Sequence, residues 1–450
     1  MGHQPLGLAA PAAVLRRAGH DVDCLDLAVQ TLEPGPIAWA ELIGISIPMH
    51  TASRLGIEVA RRIRQLNSKH HIAFYGMYAS PLHDLLMNSG LADSVIGGEY
   101  EIGLEALARD LADDRGGLLT SAGVGPKPLF DRQTYLVPDR EGLPHLENYA
   151  RLDLDGDLRL AGYVEASRGC AHTCTHCPIT SVYAGRLRLV QKETVLADID
   201  HLVTMGAQHI TFGDPDFLNA VPHSLGIVEE LHRRHRDLTF DVTIKVEHLL
   251  EYQDELPRLR DLGCLFVTSA FESTSDAILS KLEKGHTRED LDRAVAILDR
   301  VSLVLRPTWV AFTPWMSLED FSELLEFVES NELVRHVQPV QYALKLLIPP
   351  SSPLIDVVDA QGLLGPLDPD ALTYTWSNPD PRIFKLQAEV ASIVEATTAS
   401  EDASLGEPYE VTFGKVKHAV SRLLTGRDDP ATVATQPRRA VPGLTEGWFC

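Results

Sequence analysis

The first quarter of the chain alternates short apolar runs with amphipathic stretches. Residues 8–18 and 53–66 carry apolar side chains at helical spacing, and the first of these stretches ends before Gly19. Continuous apolar runs predict strands at residues 22–27, 42–47, 72–75 and 95–96. Short apolar strands separated by helices are typical of a parallel sheet that is covered on both faces. Residues 1–110 are therefore predicted to form a doubly wound α/β domain.

The start of this domain departs from the usual order. The chain enters it with a helix, whereas a doubly wound domain normally begins with a strand near the centre of the sheet. Residues 1–7 have the composition of the loop that would follow such a strand. One interpretation is a domain that is built differently. We favour the other, in which the first strand is missing and the sequence starts downstream of the true start.

A second alternation of strands and helices follows residues 111–160, which are rich in Gly, Pro and Asp and are predicted to be a linker. The predicted strands are residues 164–167, 209–212, 240–246, 265–271, 305–312 and 337–348. The predicted helices between them are residues 193–205, 218–235, 275–284 and 318–328. Six such units predict a partial (β/α)6 TIM-type barrel over residues 161–350, with its active site at the carboxyl ends of the strands. Residues 351–427 are predicted to be a helical C-terminal segment, and residues 428–450 an extended tail.

Composition and charge narrow the class of protein. The 450 residues are 44% hydrophobic and 23% charged, as in a soluble protein of two domains. A formal net charge of −23 argues against a nucleic-acid partner, because neutralising phosphates requires clustered Lys and Arg. No apolar run approaches the roughly 20 residues that span a bilayer. We therefore expect a cytoplasmic protein with no membrane partner.

Three of the six cysteines form a tight constellation. Cys170, Cys174 and Cys177 have the spacing C-x3-C-x2-C, whereas Cys24 and Cys264 lie in apolar surroundings typical of buried thiols. Three thiolates on one loop can hold three irons of a [4Fe–4S] cluster and leave the fourth iron open, unlike the four-cysteine clusters of electron-transfer proteins. The alternative is a zinc site with a nearby histidine as fourth ligand. The sequence contains no second cysteine pair of the kind that structural zinc sites use, which favours the cluster.

At this motif the chain resembles the radical S-adenosylmethionine superfamily. The resemblance implies that a reduced cluster cleaves S-adenosylmethionine to a 5′-deoxyadenosyl radical. It also implies a reductant such as flavodoxin or ferredoxin as a partner. His176 occupies the position before Cys177 that is usually aromatic in the family, where it would pack near the adenine.

The resemblance extends to polar residues that follow the predicted barrel strands. It assigns cosubstrate contacts to Arg186, Asp214, Asp216, Lys245, Glu247, Glu272 and Ser273. Asp214 or Asp216 would meet the amino group of the methionine moiety, although Asp216 is also suited to cap the helix that follows. Arg186 would fix the cluster loop, and Arg306 and Lys345 are further basic candidates.

The N-terminal domain resembles that of the cobalamin-binding subgroup of the superfamily. The stretch from Gly97 to Glu101 reads Gly-Gly-Glu-Tyr-Glu and follows a predicted strand. By the switch-point rule the corrin would lie beside Ser46, Met49, His50 and Tyr78. The motif Asp-x-His-x-x-Gly is absent, so no protein side chain is expected to bind cobalt. The alternative is a domain that kept the fold and lost the cofactor.

The last residue, Cys450, raises a separate hypothesis. The chain resembles a group that ends in Cys-Cys-Ala-Glu-Pro or Cys-selenocysteine-Ala-Glu-Pro, so this sequence would stop where selenocysteine is inserted. An ordinary terminal cysteine is the alternative.

These features together predict a radical S-adenosylmethionine enzyme with a [4Fe–4S] cluster and cobalamin. The expected reaction is methyl transfer to an unactivated centre of a small molecule. One rival is a cobalamin-independent radical reaction in which the terminal thiol or selenol handles a soft acceptor such as arsenic. The other is a non-catalytic zinc or iron–sulfur binding module.

Overall fold

The structure is a computed structural model, and it describes residues 2–66, 69–113, 125, 127–130, 132–398, 408–428, 433 and 441–446. The helices of these ranges are α1 (Leu6–Arg17), α2 (Pro34–Trp39), α3 (His50–Leu66), α4 (His83–Asn88), α5 (Tyr100–Ala112), α6 (Pro178–Tyr183), α7 (Lys192–Thr204), α8 (Val221–Arg234), α9 (Val246–Glu251), α10 (Leu256–Asp261), α11 (Asp276–Lys281), α12 (Arg288–Arg300), α13 (Leu318–Ser330), α14 (Leu354–Asp359), α15 (Arg382–Thr398) and α16 (Tyr409–Thr425). The strands are β1 (Leu42–Ser46), β2 (His71–Tyr75), β3 (Ser94–Ile96), β4 (Arg151–Leu154), β5 (Asp157–Val164), β6 (Ser167–Gly169), β7 (Leu187–Leu189), β8 (His209–Phe212), β9 (Thr239–Thr243), β10 (Cys264–Glu272), β11 (Val304–Trp309), β12 (Leu364–Asp368), β13 (Thr373–Trp376) and β14 (Gly443–Leu444).

The N-terminal domain is a parallel sheet in the order β1-β2-β3. Its strands match three of the four predicted ones, and the predicted α/β class is confirmed. The strand predicted at residues 22–27 is wrong, because this segment lies outside the helices and strands. Its backbone is held by side chains instead: the Arg16 guanidinium donates to the Val22 carbonyl at 2.8 Å.

The second domain is the predicted partial barrel. Strands β5, β8, β9, β10 and β11 are parallel neighbours in a seven-stranded sheet of order β11-β10-β9-β8-β5-β4-β14. The sixth strand, predicted at residues 337–348, is reduced to one parallel bridge between Phe312 and Lys345. The segment before that bridge forms 3-10 turns at Val334–His336 and Pro339–Ala343. Pro339 lacks the N–H group that a strand ladder needs, which explains the wrong prediction.

Two strands begin within residues 111–160, which were predicted to be a linker. β4 and β5 form an antiparallel hairpin in which Leu154 pairs with Asp157. The turn between them is Asp155-Gly156, with φ of 55° and 90°. Two residues with positive φ make the type I′ turn that matches the twist of a hairpin. The barrel sheet therefore starts earlier than predicted.

The C-terminal region is helical, as expected, but it also contains strands. β12 and β13 form a hairpin, and Leu372 before β13 is 1% exposed in the apolar core of the N-terminal domain. β14, in the predicted tail, pairs with β4 at the edge of the barrel sheet. Cys450 lies outside the described residues, so the hypothesis about it stays a prediction. In the part of the chain that the structure describes, no helix is both long enough and apolar enough to cross a membrane.

Candidate functional site

The three-cysteine loop lies between β6 and α6, at the carboxyl end of the first barrel strand. Gly169 precedes it with φ of +75°, and a Cβ there would lie 2.3 Å from the Arg186 carbonyl oxygen. Glycine is therefore required where the loop departs from β6. Cys174 is buried, Cys170 and Cys177 are half-buried, and none of the three forms a disulfide.

Asp214 follows β8 and ties down the strand that leads to the cysteine loop. Its carboxylate accepts hydrogen bonds from the backbone N–H of Ala166 at 2.9 Å and from Ser167 Oγ at 2.6 Å. Burial raises the pKa of Asp214 to about 7, against these two hydrogen bonds, which lower it. Both carboxylate oxygens are engaged within the protein, so Asp214 is placed to hold the loop.

Asp216 serves as a helix cap, as expected, and also faces two histidines. One oxygen accepts from the backbone N–H of Leu218 at 3.2 Å. The other, Oδ2, lies 2.6 Å from His248 Nδ1 and 3.6 Å from His172 Nε2. Burial raises the pKa of Asp216, but His172 and His248 outweigh it and the net shift is downward.

These contacts bear on the zinc alternative. Within the described ranges, His172, Asp216 and His248 form the one group whose potential ligand atoms all lie within 4.8 Å of one another. A zinc ion with Zn–S bonds of about 2.3 Å would need the cysteine sulfurs and a histidine nitrogen comparably close together. The cysteines form no such group with His172 or His176. Among the described residues, the group that meets this spacing is therefore the His172, Asp216 and His248 set and not the cysteine loop.

Lys245 and Glu247 follow β9 on the same side of the site. They form an ion pair, and Lys245 Nζ lies 3.2 Å from His172 Nδ1. Glu247 Oε2 is 3.6 Å from the same His172 nitrogen. The structure therefore brings these strand-end residues against the cysteine loop, next to Asp216.

Glu272 ends β10 with a positive φ of 63°. It accepts a hydrogen bond from His176 Nε2 at 3.1 Å, and Lys284 Nζ lies 3.4 Å away. Burial raises the pKa of Glu272, yet the Lys284 ammonium and His176 outweigh it and hold that pKa at about 2. Ser273 is buried beside it, and its Oγ accepts from the Ser275 backbone. Lys284 was not predicted as a site residue, because no motif marks it and it falls at the end of the helix predicted over residues 275–284, whereas the observed helix α11 ends at Lys281.

The residues predicted beside the corrin lie together at the carboxyl ends of β1 and β2. Ser46 and Met49 are half-buried, and Tyr78 is 5% exposed, with its ring 6.1 Å from that of His50. His50 Nε2 donates to the Ala371 carbonyl at 2.7 Å, in the turn between β12 and β13. One imidazole nitrogen of His50 is thus already occupied by the protein.

The remaining basic candidates lie elsewhere. The Arg186 guanidinium is exposed and lies 4.6 Å from the centre of the Phe130 ring. Arg306 reaches the Pro442 carbonyl at 3.2 Å, next to β14. Lys345 Nζ lies 4.9 Å from the Trp376 ring, in the C-terminal region. The side-chain contacts of these three residues are thus made with Phe130, Pro442 and Trp376 rather than with the cysteine loop.

Comparison with known proteins agrees with this architecture. Residues 164–328 match the radical SAM superfamily, and residues 2–108 match the B12 binding domain. The hopanoid C-3 methylase of Methylococcus capsulatus (strain Bath) is 26% identical over 333 residues, covering 68% of this chain and 62% of that protein. The ribosomal protein uS12 methylthiotransferase RimO of Pelodictyon phaeoclathratiforme is 25% identical over 185 residues, covering 38% of this chain and 42% of that protein. The match thus spans less than two thirds of the length of each of these relatives.

Two solved structures share the fold. OxsB, a cobalamin-dependent S-adenosylmethionine radical enzyme solved with aqua-cobalamin and S-adenosylmethionine bound, has a TM-score of 0.71 and 17% identity, over 95% of this chain and 69% of that one. TsrM of Kitasatospora setae, a radical S-adenosylmethionine methyltransferase, has a TM-score of 0.66 and 16% identity, over 92% of each chain. With the cysteine loop and both domains in place, the chain belongs to the radical S-adenosylmethionine superfamily of enzymes, in the subgroup that carries an N-terminal B12-binding domain.

Proposed function

We propose that the protein is a cobalamin-dependent radical S-adenosylmethionine methyltransferase that acts on an unactivated centre of a small molecule. The observation that carries the proposal is the combination of two sites in one chain. A three-cysteine loop lies at the carboxyl end of a partial barrel, and a B12-binding domain precedes that barrel. The name of the hopanoid C-3 methylase supports methylation at carbon.

The cysteine loop suits a [4Fe–4S] cluster. Burial raises the pKa of Cys177 to about 12 and raises that of Cys170 as well. Cluster assembly would therefore displace protons from thiols that stay neutral without iron. Asn219 Nδ2 lies 3.5 Å from Cys170 Sγ and can donate a hydrogen bond to this sulfur. Cys170, Cys174 and Cys177 would hold the cluster.

Buried polar atoms around the loop suit the polar groups of S-adenosylmethionine. His176 Nδ1 is buried without a hydrogen-bond partner. Asp216 Oδ2 meets only the histidines His172 and His248, and Glu247 Oε2 meets only Lys245 and His172. Buried polar groups are normally hydrogen-bonded, so such a concentration suits a polar ligand. Both oxygens of Asp214 hold the strand that leads to the cysteine loop, whereas Oδ2 of Asp216 meets only the histidine side chains of the site, so we take Asp216 as the better acceptor for the amino group. Glu272 would stay ionised beside His176, which would orient that ring toward the adenine.

The corrin would lie over the carboxyl edge of the N-terminal sheet. His50 already donates from Nε2 to Ala371, so we propose that it orients the turn before β13 rather than binding cobalt. When bound, the cluster held by the three cysteines would supply the electron for cleavage of S-adenosylmethionine, and the corrin would carry the methyl group. A flavodoxin or ferredoxin would deliver the electrons.

Anaerobic reconstitution tests this function. We expect about four irons and four sulfides per chain, a corrin absorption band, and 5′-deoxyadenosine after reduction in the presence of S-adenosylmethionine. Methyl transfer is then followed with S-adenosylmethionine labelled in the methyl group. A protein that contains stoichiometric zinc and forms no 5′-deoxyadenosine would overturn the proposal. A cluster-loaded enzyme without corrin would instead favour the cobalamin-independent reaction.

A further inference from the structure

A buried group of charges joins the B12-binding domain to the cysteine loop. At its centre is Arg168, 8% exposed, two residues before the first cluster cysteine. Its Nη1 lies 2.7 Å from Glu101 Oε1 and 3.4 Å from Glu99 Oε2, and its Nε lies 2.9 Å from Glu165 Oε2. Glu99 and Glu101 belong to the segment that follows β3, so one side chain bridges the two domains.

The same carboxylate also contacts the other end of the cysteine loop. Glu99 is fully buried, and its Oε1 accepts a hydrogen bond from Tyr183 Oη at 2.9 Å. Tyr183 ends α6, which begins directly after Cys177. Glu99 is therefore in contact with the residues that flank the three cysteines on both sides.

Further contacts leave the central groups little freedom. The Arg168 guanidinium also lies over two aromatic rings, 5.3 Å from the centre of Tyr100 and 5.1 Å from that of Tyr135. Tyr135 Oη donates to Glu99 Oε2 at 2.7 Å. A guanidinium is a planar fork that meets several acceptors in fixed directions, which a lysine cannot reproduce. The arrangement specifies both the distance and the orientation between the two segments.

We propose that Glu99, Glu101, Arg168 and Tyr183 form a positioning unit that sets the separation between the corrin and the cluster. The inference rests on the proposed function, since it requires both cofactors. Burying ionised groups is costly, and an apolar contact of the same volume stabilises a protein as well or better. Stability alone therefore does not account for this group. An interface that must hold one geometry does account for it, because a displacement of about 1 Å can cost an enzyme on the order of 100-fold in rate.

The separation is measurable by electron paramagnetic resonance. In the reduced holoenzyme, cob(II)alamin and the reduced cluster are both paramagnetic, and their dipolar coupling reports the distance between them. We expect one narrow distance distribution in the wild-type protein. Arg168→Met and Glu99→Gln should shift its mean by about 1 Å or broaden it, at unchanged cluster and corrin content. Arg168→Lys should restore the mean but leave a wider distribution, because it keeps the charge without the fork.

Two further variants keep the test decisive if Arg168→Met does not fold. The double variant Arg168→Met/Glu101→Gln removes one positive and one negative charge together, and Tyr183→Phe removes a single hydroxyl. Both should broaden the distribution. His209→Phe is the control, because His209 is fully buried and its Nε2 lies 2.9 Å from Asp241 Oδ1, so this polar pair joins two strands of the barrel sheet, β8 and β9. It should lower stability and leave the distance unchanged.

The outcomes separate this inference from the proposed function. If the wild-type protein takes up no corrin or no cluster, the function fails first. If both cofactors bind and the distance is the same in every variant of the unit, the function stands and the positioning role is overturned. An equal shift in His209→Phe would also overturn it, because the effect would then not belong to this unit.

Discussion

At the scale of single residues, substitution of two buried cysteines distinguishes a role in cluster binding from a role in packing. Cys174 lies in the loop and is 8% exposed, whereas Cys264 begins β10 and is 3% exposed. We expect Cys174→Ala to abolish iron uptake and 5′-deoxyadenosine formation. Cys264→Ala should keep both and lose about 1–2 kcal/mol of unfolding free energy, as for a small buried side chain. Iron content and thermal unfolding of the two variants check this, and equal loss of iron in both would contradict the assignment.

Lys284 allows a second test at this scale. Its ammonium is 3.4 Å from Glu272 Oε1, and both side chains are almost fully buried. Lys284→Met should lower the unfolding free energy by up to about 3–5 kcal/mol, since it removes the ammonium next to a buried carboxylate and leaves only His176 as its partner. Lys281→Met is the control: Lys281 Nζ lies 5.4 Å from the Trp315 ring, a contact worth only about 0.5–1 kcal/mol. Urea unfolding compares the two, and an equal loss would show that Glu272 does not need its partner.

Only some residues of the candidate site could be predicted from local patterns in the sequence. The cysteine loop, Asp214 and Glu272 could be predicted because each lies at a motif or directly after an apolar strand. Lys284 could not, because no motif marks it, although it follows Glu272 by only 12 residues. The pairing of Arg168 with Glu99 and Glu101 could not, because the partners belong to different domains. Glu99 and Arg168 are 69 residues apart, and no periodicity links them. Only the packing of the two domains brings them together.

At the scale of elements, the β4–β5 hairpin offers a test of backbone strain. Gly156 has φ of 90°, and no heavy atom would contact a Cβ built on it. Gly156→Ala should therefore destabilise the protein by about 1–2 kcal/mol through the left-handed conformation alone. Gly226→Ala should instead be neutral or stabilising by up to about 1 kcal/mol, because Gly226 lies inside α8 with ordinary φ and a Cβ there would meet only Lys192 Nζ, at 3.7 Å. Thermal unfolding gives the sign of both changes, and a loss in Gly226→Ala comparable with that in Gly156→Ala would exclude the turn as the cause.

The elements that sequence patterns predicted correctly are those with a strong period. α3 and α13 have clear apolar faces, and β8 is a fully buried strand that matches its prediction residue for residue. The Asp155-Gly156 pair was a usable hairpin signal that the composition of the surrounding segment obscured. The single bridge in place of a sixth strand was harder to foresee, because the apolar pattern of residues 337–348 continues through 3-10 turns.

At the scale of the whole molecule, the C-terminal hairpin ties the barrel to the B12-binding domain. Leu372 is 1% exposed and packs in the core that contains Ile47 and Tyr78, next to the expected corrin face. Leu372→Ala should therefore cost about 2–5 kcal/mol through the cavity that it leaves. Because this cavity opens beside the proposed corrin edge and away from the cysteine loop, corrin should dissociate faster while the iron content stays unchanged. Leu158→Ala, at a residue 50% exposed in β5, should change stability by less than about 0.5 kcal/mol.

The order in which the Leu372→Ala variant loses its two cofactors shows whether the two domains are coupled. If the hairpin clamps only the N-terminal domain, gel filtration of Leu372→Ala holoenzyme removes corrin and leaves four irons per chain bound. If both cofactors leave together, the loss of packing at Leu372 also disturbs the cysteine loop. The positioning unit around Arg168 is then the group of contacts that connects the two domains to that loop. The double variant Leu372→Ala/Arg168→Lys then tests this connection, since the losses of cofactor caused by two changes are not additive when both act through the same contacts. Additive losses would mean that hairpin and positioning unit hold the two domains independently.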